Sequence, residues 1–288
     1  MKVVFMGTPD FAVGALEAII QAGHEVTAVV TQPDKPKGRS GQMQFPPVKE
    51  CAVKYEIPVF QPVKVKDAES VEELRKFEAD IFVVAAFGQI LTKEILEMPR
   101  LGCVNIHASL LPKYRGAAPI NQVIIDGEQE TGVTIQQMNE GIDTGDILMV
   151  REYKVEPKET GGSLFDKLEK IGAELLVETL DGLKSGSITP IPQGENFTHV
   201  GKLEKTTGVI DFNKPAVEIE RLIRGLNPWP SAYTSFNGKT LKIWDADIDD
   251  CDCSMYAPGT IYTVDKKNVY VSTAGGGLVL NEVQLEGK

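Results

Sequence analysis

Short apolar runs alternate with stretches of helical spacing along the first half of the chain. "KVVFMG" (2–7) is apolar at nearly every position, the pattern of a strand buried on both faces. "DFAVGALEAIIQAG" (10–23) repeats apolar residues at helical spacing and ends on Gly23, suited to a C-terminal cap. The strand pattern returns in "HEVTAVVT" (24–31), "ADIFVVAA" (79–86) and "CVNIHAS" (103–109), with helical stretches between the last three. This alternation predicts an α/β fold on a parallel sheet, with its ligand crevice at the carboxyl ends of the strands. His24 stands at the entry of its strand and is expected at the surface.

The pattern then changes twice. "GSLFDKLEKIGAELLVETLDGLKSG" (162–186) is the longest clean helix, with Leu164, Leu168, Ile171, Leu175 and Leu183 at helical spacing and Ser163 as N-cap. Residues 187–203 are rich in Pro, Gly, Ser, Thr and Asn and read as a linker. One helix follows, "PAVEIERLIRGL" (215–226), with Pro215 in its first turn. Beyond it β patterns dominate, with Asn237-Gly238 as a hairpin turn. The second half therefore reads as a small β-barrel or sandwich. No internal repeat is visible.

A length of 288 residues accommodates two domains. No apolar run is long enough to span a bilayer, and the amino terminus reads directly as a strand. A cytoplasmic protein is expected. Four cysteines are no disulfide framework in a chain this long, and the C-x-C of "DDCDCS" (Cys251, Cys253) is expected to be two free thiols. The net charge of -11 argues against nucleic acid as a partner of the whole surface. The balance is local, however: residues 195–244 carry seven Lys and Arg against five Asp and Glu. The Pro/Gly-rich loop 32–49 sets Lys35, Lys37, Arg39 and Lys49 against Asp34 alone. It is either a surface loop or a phosphate-contacting finger.

Three stretches carry candidate chemistry. Asn105 and His107 are two apart on one strand, so both point to the same face, near the end that opens on the crevice. Asn supplies a neutral N–H donor suited to an oxyanion, and His exchanges a proton near neutral pH. A polar corner satisfied internally is the alternative. "MNEGIDTGDIL" (138–148) offers Asp143 and Asp146: Asp146 suits a turn, and Asp143 could orient a histidine. "AAFGQIL" (85–91) is either core packing or the wall of a flat aromatic-ligand pocket. "MGTPDFAVGA" (6–15) lacks the G-x-G-x-x-G spacing of dinucleotide binders, and no P-loop occurs anywhere.

Taken together, Asn105-Ile106-His107, the "SLLP" of 109–112 and Asp143 resemble the formyltransferases that use 10-formyltetrahydrofolate. "GTPDFA", "QPDKPKGRS", "SLLPKYRGAAPI", "TGVTIQQMNEGIDTGDIL" and "GLNPWPSAYT" are most similar to the members that formylate methionyl-tRNA, and the likeness covers essentially the whole chain. The resemblance implies a Rossmann-like parallel-sheet catalytic domain over 1–188, a linker over 189–206, and a small OB-like β-barrel that binds tRNA over 207–288. It implies Asn105, His107 and Asp143 as the catalytic trio. Phe87, Gln89, Ile90, Leu91, Ser109, Leu110, Leu111 and Pro112 would form the folate pocket. Lys35, Lys37, Arg39, Lys202, Arg221 and Arg224 would contact tRNA. The expected reaction moves a formyl group from 10-formyltetrahydrofolate to the α-amine of methionyl-initiator tRNA, with no metal, in a monomer. An amino-sugar nucleotide is the alternative acceptor; glycinamide ribonucleotide, a non-catalytic RNA or folate module, and a formate-releasing hydrolase are further rivals. The loop continues as "SGQMQF", where the family often adds lysines, and the chain ends at "VQLEGK", where the family usually adds a short basic tail.

Overall fold

The computed structural model describes residues 1–37 and 42–288. They form two compact units that do not follow chain order. The first comprises Met1–Arg115, Gly132–Tyr153 and Asp166–His199; the second comprises Gly116–Thr131, Lys154–Phe165 and Val200–Lys288. Among the described residues no helix is long and apolar enough to cross a membrane.

The first unit is built on a seven-stranded sheet. Its spatial order is Ile147–Lys154, Glu130–Gln137, Cys103–His107, Ile81–Ala85, Lys2–Gly7, Glu25–Val30, Val59–Phe60. The pairs from Cys103–His107 to Val59–Phe60 are parallel, and Cys103–His107 meets Glu130–Gln137 antiparallel. The chain builds outward from Lys2–Gly7 on one side and then returns to Ile81–Ala85 on the other. The switch point where ligands enter such sheets therefore lies between the ends of these two strands, where Gly7 pairs with Ala85.

Strand alternation divides the core. Val4, Met6, Ala28, Val30, Phe82, Val84 and Cys103 share one buried cluster with Val71 and Leu74 of helix Ala68–Arg75 and with Ile95 and Leu96. On the opposite face, Gly172 of the long helix Gly161–Ser185 lets that helix approach Ile106 and Val133; an added Cβ would stand 3.0 Å from Ile106 Cγ2. Gly7 has a similar role, since a Cβ there would lie 2.7 Å from Ala12 Cβ and 3.0 Å from the Ala85 carbonyl. The turn it permits leads through a 3₁₀ turn, Asp10–Ala12, into helix Val13–Gln21.

His24 departs from the surface expectation. Its Nδ1 lies 3.5 Å from the terminal amine, and its Nε2 is buried without a hydrogen-bond partner among the described residues. Burial lowers its pKa below 6.5, and the ammonium of Met1 adds to the effect. The stretch expected as a linker also makes ordered contacts. Ile191 exchanges both backbone hydrogen bonds with Ile147 (2.8 and 2.9 Å), and Thr198 accepts the Arg115 amide at 2.9 Å.

In the second unit helices Pro119–Asp126 and Ala216–Leu226 pack closely. Gly225 leaves room for Ile125, and Asn121 Nδ2 donates to the Gly225 carbonyl at 2.7 Å. Pro215 is the N-cap of the second helix rather than its first residue. An antiparallel sheet follows, in the order Ala232–Phe236, Lys239–Asp249, Gly277–Leu285, Val269–Ser272, Ile261–Val264. The expected hairpin is present: Asn237 and Gly238 both have positive φ (49° and 73°), as a two-residue primed turn needs. Ile219 and Ile223 of the helix bury against Ile243, Val271 and Leu278 of the sheet. The free-thiol expectation is corrected here, since Cys251 and Cys253 are joined in a disulfide. One intervening residue brings their Cα atoms to 5.7 Å, a separation that such a bond spans.

Candidate active site

Asn105 and His107 come from the strand Cys103–His107, whose residues at 103, 105 and 107 share a face. Cys103 belongs to the core cluster, so that face is apolar at its start and polar at its carboxyl end. The neighbouring antiparallel strand contributes to the same face. Asn105 pairs with Gln136, and His107 pairs with Thr134.

His107 is 6 % exposed, and both of its ring nitrogens face oxygen. Nε2 lies 2.8 Å from the Tyr114 carbonyl, which can only accept, so Nε2 carries the proton. Nδ1 faces Asp143 Oδ1 at 3.6 Å, longer than a hydrogen bond. A proton arriving at Nδ1 would point at that carboxylate. Asp143 is placed by two glutamines: Gln136 Nε2 donates to its Oδ1 at 2.8 Å, and Gln193 Nε2 donates to its carbonyl at 2.9 Å. Its backbone is left-handed (φ 51°). Gly145 lets the same loop close on its strand, since a Cβ there would fall 1.7 Å from the Gln137 carbonyl. Asp146 contributes its backbone, accepting the Gln137 amide at 2.8 Å.

The structure thus brings His107 and Asp143 face to face and sets Asn105 beside Gln136. Asn105 is half-buried, and its side-chain amide makes no hydrogen bond among the described residues. Gln136 is 2 % exposed, and its Oε1 has no partner among the described residues. Four contributors were missed by the sequence reading. Gln136 becomes visible only once the antiparallel register is known. Gln193 lies in a stretch whose composition reads as a connection. Arg115 is buried, with Nε and Nη2 converging on Gln193 Oε1 at 3.0 and 2.7 Å and Phe197 stacked at 4.7 Å. The Tyr114 carbonyl is a backbone group and leaves no mark in residue type.

The expected folate residues divide by exposure. Phe87 and Leu91 are buried in the core cluster beneath the sheet. The Gln89 amide ties its loop to the segment ahead of helix Ala68–Arg75, accepting from Val65 N–H at 2.7 Å and donating to the Pro62 carbonyl at 3.1 Å. Leu111 is buried, and Ser109, also buried, donates to the Lys113 carbonyl at 2.7 Å. Leu110 and Pro112 are half-buried, and Ile90 is exposed. The strands that precede these two turns are paired in parallel, Val84 with Asn105, so both turns leave the same carboxyl end of the sheet.

Of the expected tRNA contacts, Arg39 lies outside the described residues. Lys35 and Lys37 lie on a short strand paired with Gln42–Gln44, and Lys35 is exposed. Lys49 is tied to Asp34 at 2.6 Å and lies over the Phe45 ring at 3.8 Å, so it anchors the loop. Gln61 also bonds Asp34, and with Lys49 it holds that carboxyl below its usual range. Lys202 is exposed. Arg221 is half-buried against Gly127, lining a cavity of about 550 Å³ in the second unit. Arg224 is committed internally, with a fork onto Glu220 (2.5 and 3.0 Å) and a bond to the Glu159 carbonyl at 2.8 Å. Among the described residues no group of three or more His, Cys, Asp or Glu could hold a metal ion.

Comparison with known proteins fixes the family. Residues 1–180 match the family described as formyl transferase, and residues 202–288 match the formyl transferase C-terminal domain. The chain belongs to the formyl transferase family. It is 60 % identical to methionyl-tRNA formyltransferase of Agathobacter rectalis, covering all of this chain and 93 % of that one. It is 50 % identical to the enzyme of the same name from Clostridioides difficile, with the same coverage. Among solved structures, the N-formyltransferase of Helicobacter canadensis, in complex with folinic acid and dTDP-3-aminofucose, has a TM-score of 0.72 at 20 % identity, covering 99 % of this chain and all of the other. Aquifex aeolicus HypX in complex with tetrahydrofolic acid has a TM-score of 0.65 at 17 % identity, covering all of this chain and 45 % of the other. At these identities the structures speak for the fold.

Proposed function

We propose that this chain transfers the formyl group of 10-formyltetrahydrofolate to the α-amino group of methionyl-initiator tRNA, in the cytoplasm and as a monomer. The observation that carries the reading is the pairing of His107 with Asp143 beside the Asn105 amide, which has no partner among the described residues, in a chain whose full-length relatives at 45 to 60 % identity bear that activity in their names.

The donor set fits a formyl oxygen. A half-buried amide without an internal partner is a neutral N–H donor already in place. The folate would supply an activated formyl carbon as electrophile. Asn105 donates to the formyl oxygen as negative charge develops there, a contribution worth about 10²–10³ in rate. His107, held by the Tyr114 carbonyl at Nε2, takes a proton at Nδ1 and is balanced there by Asp143. Its positive charge stabilises the same oxygen, and proton management of this kind contributes about 10²–10⁴. Asp143, or a water that it orients, takes the proton that the amine loses as its nitrogen bonds the formyl carbon, and that proton passes to N10 of the folate as the bond between N10 and the formyl carbon breaks. Ile90, Leu110 and Pro112 offer apolar surface to the folate, while Phe87, Leu91 and Leu111 back that wall from the core and Ser109 and Gln89 fix its loops. Residues 1–188 carry the chemistry, residues 189–206 form the connection, and residues 207–288, with Lys35, Lys37 and Arg39 of the loop, hold the tRNA. Lys202 of the connection and Arg221 meet phosphate, and Arg224 stiffens the helix that presents Arg221.

An amino-sugar nucleotide as acceptor is favoured by the ligand of the Helicobacter canadensis structure, but that likeness is at 20 % identity. The deciding experiment is transfer of labelled formyl from 10-formyltetrahydrofolate to methionylated initiator tRNA, with methionylated elongator tRNA alongside. Transfer to the initiator alone supports the reading. Transfer to dTDP-amino sugars and to neither tRNA overturns it.

A further inference from the structure

We infer that Gln193 is a positioning residue for the reaction, setting the Asp143 carboxylate against His107 under the control of Arg115. The inference rests on the proposed roles of His107 and Asp143. The two N–H groups of one Gln193 amide go to two carbonyls of the same loop, Asp143 at 2.9 Å and Gly145 at 2.7 Å. Its oxygen receives two N–H groups from Arg115 at 3.0 and 2.7 Å. All four hydrogen-bonding positions of the side chain are thereby used. The Arg115 fork also fixes which way the amide points. A flipped amide would set N–H against guanidinium N–H and turn its oxygen toward two carbonyl oxygens.

This matters because the loop takes an uncommon backbone at the residue whose carboxylate is needed. Asp143 has φ 51°, a conformation that persists where its surroundings enforce it. Gln193 grips the loop at that residue and again two residues on. The chain segment behind the grip is itself fixed, by the paired backbone bonds of Ile191 with Ile147 and by the bond from the Tyr114 amide to Thr198 Oγ1 at 2.7 Å. Tyr114 and Arg115 therefore govern both partners. The carbonyl of one holds His107 Nε2, and the guanidinium of the other holds Asp143 through Gln193.

The test compares Gln193→Leu with wild type, alone and in an Asp143→Asn background, in formyl transfer to methionyl-tRNA. A positioning role predicts a kcat lower by about 10- to 100-fold, the scale on which a misplacement of about 1 Å in a reacting group acts. It also predicts a KM for tRNA within about two-fold and almost no further loss in the Asp143→Asn background. Equal losses in both backgrounds, or a loss confined to KM, overturn the inference. A second readout needs no substrate. The chain has three histidines, and the His107 ring can be titrated by NMR. The groups facing that ring are the Asp143 carboxylate at Nδ1 and the Tyr114 carbonyl at Nε2, with the Arg115 charge behind Gln193. Gln193→Leu should displace the His107 midpoint in the same direction as Asp143→Asn, with the His199 midpoint unmoved. An unmoved His107 midpoint overturns the inference. A displaced midpoint in a chain that formylates another amine supports it and overturns the tRNA reading alone.

Discussion

The His107 imidazole faces the Asp143 carboxylate across 3.6 Å, Nδ1 to Oδ1, while its other nitrogen is held by the Tyr114 carbonyl. The ring cannot turn without abandoning that 2.8 Å bond, so any proton exchange by the ring is confined to Nδ1. Asp143→Asn keeps the shape and removes the charge. We expect kcat to fall by about 10²–10⁴ with folding and tRNA affinity retained. Single-turnover transfer under saturating tRNA is the measurement, and a fall of less than about three-fold would remove Asp143 from the proton path.

Asn105→Ala tests the oxyanion role separately. The amide has no internal partner among the described residues, so its loss leaves no intramolecular hydrogen bond broken. The thermal midpoint should stay close to wild type while kcat drops by about 10²–10³. Loss of stability with unchanged turnover would assign Asn105 to the scaffold.

Much of this was legible in the sequence, for identifiable reasons. The strand Lys2–Gly7 was found to the residue because continuous apolar character has one cheap solution in an α/β core. The hairpin at Asn237-Gly238 was found because few residues accept positive φ twice in succession. Asn105 and His107 stand out because polar residues two apart on an otherwise buried strand demand a reason, and both lie on the strand Cys103–His107. Gln136 and Gln193 escaped because their contacts depend on partners 7 to 78 residues away, which composition does not report. Lys49 and Arg224 were read as free charge, whereas their partners Asp34 and Glu220 are already in contact.

Binding of methionyl-tRNA should weaken steeply with salt, because each phosphate contact releases counterions. Lys35 is exposed, and Lys35→Ala should reduce the slope of log K against log salt by about one while leaving kcat at saturation intact. Fluorescence anisotropy across a salt series checks both. An affinity independent of salt would refute phosphate contact by the basic loop.

His24 should make the fold acid-sensitive well above the carboxylate range. Burial holds its pKa below 6.5, so the unfolded chain takes up the proton first as pH falls. The stability it contributes is fully present above pH 6.5 and is lost as pH drops through the folded-state value. Replacing it by Gln should therefore shrink the fall in Tm between about pH 7.5 and about pH 5.5. Parallel thermal melts measure this, and an identical fall in both proteins would exclude His24 as the source.

The pairing of Asn105 with Gln136 and of His107 with Thr134 makes the site an indexed device. Loops around it can lengthen or shorten by single residues and leave the chemistry in place. The ladder cannot, because its side chains alternate between two faces. One residue inserted ahead of Asn105 would turn Ile106 toward the reacting groups and drive both polar side chains into the packing under Gly172. Between the working arrangement and its inversion there is no intermediate setting, so variation in acceptor must be written in the loops while the ladder keeps count.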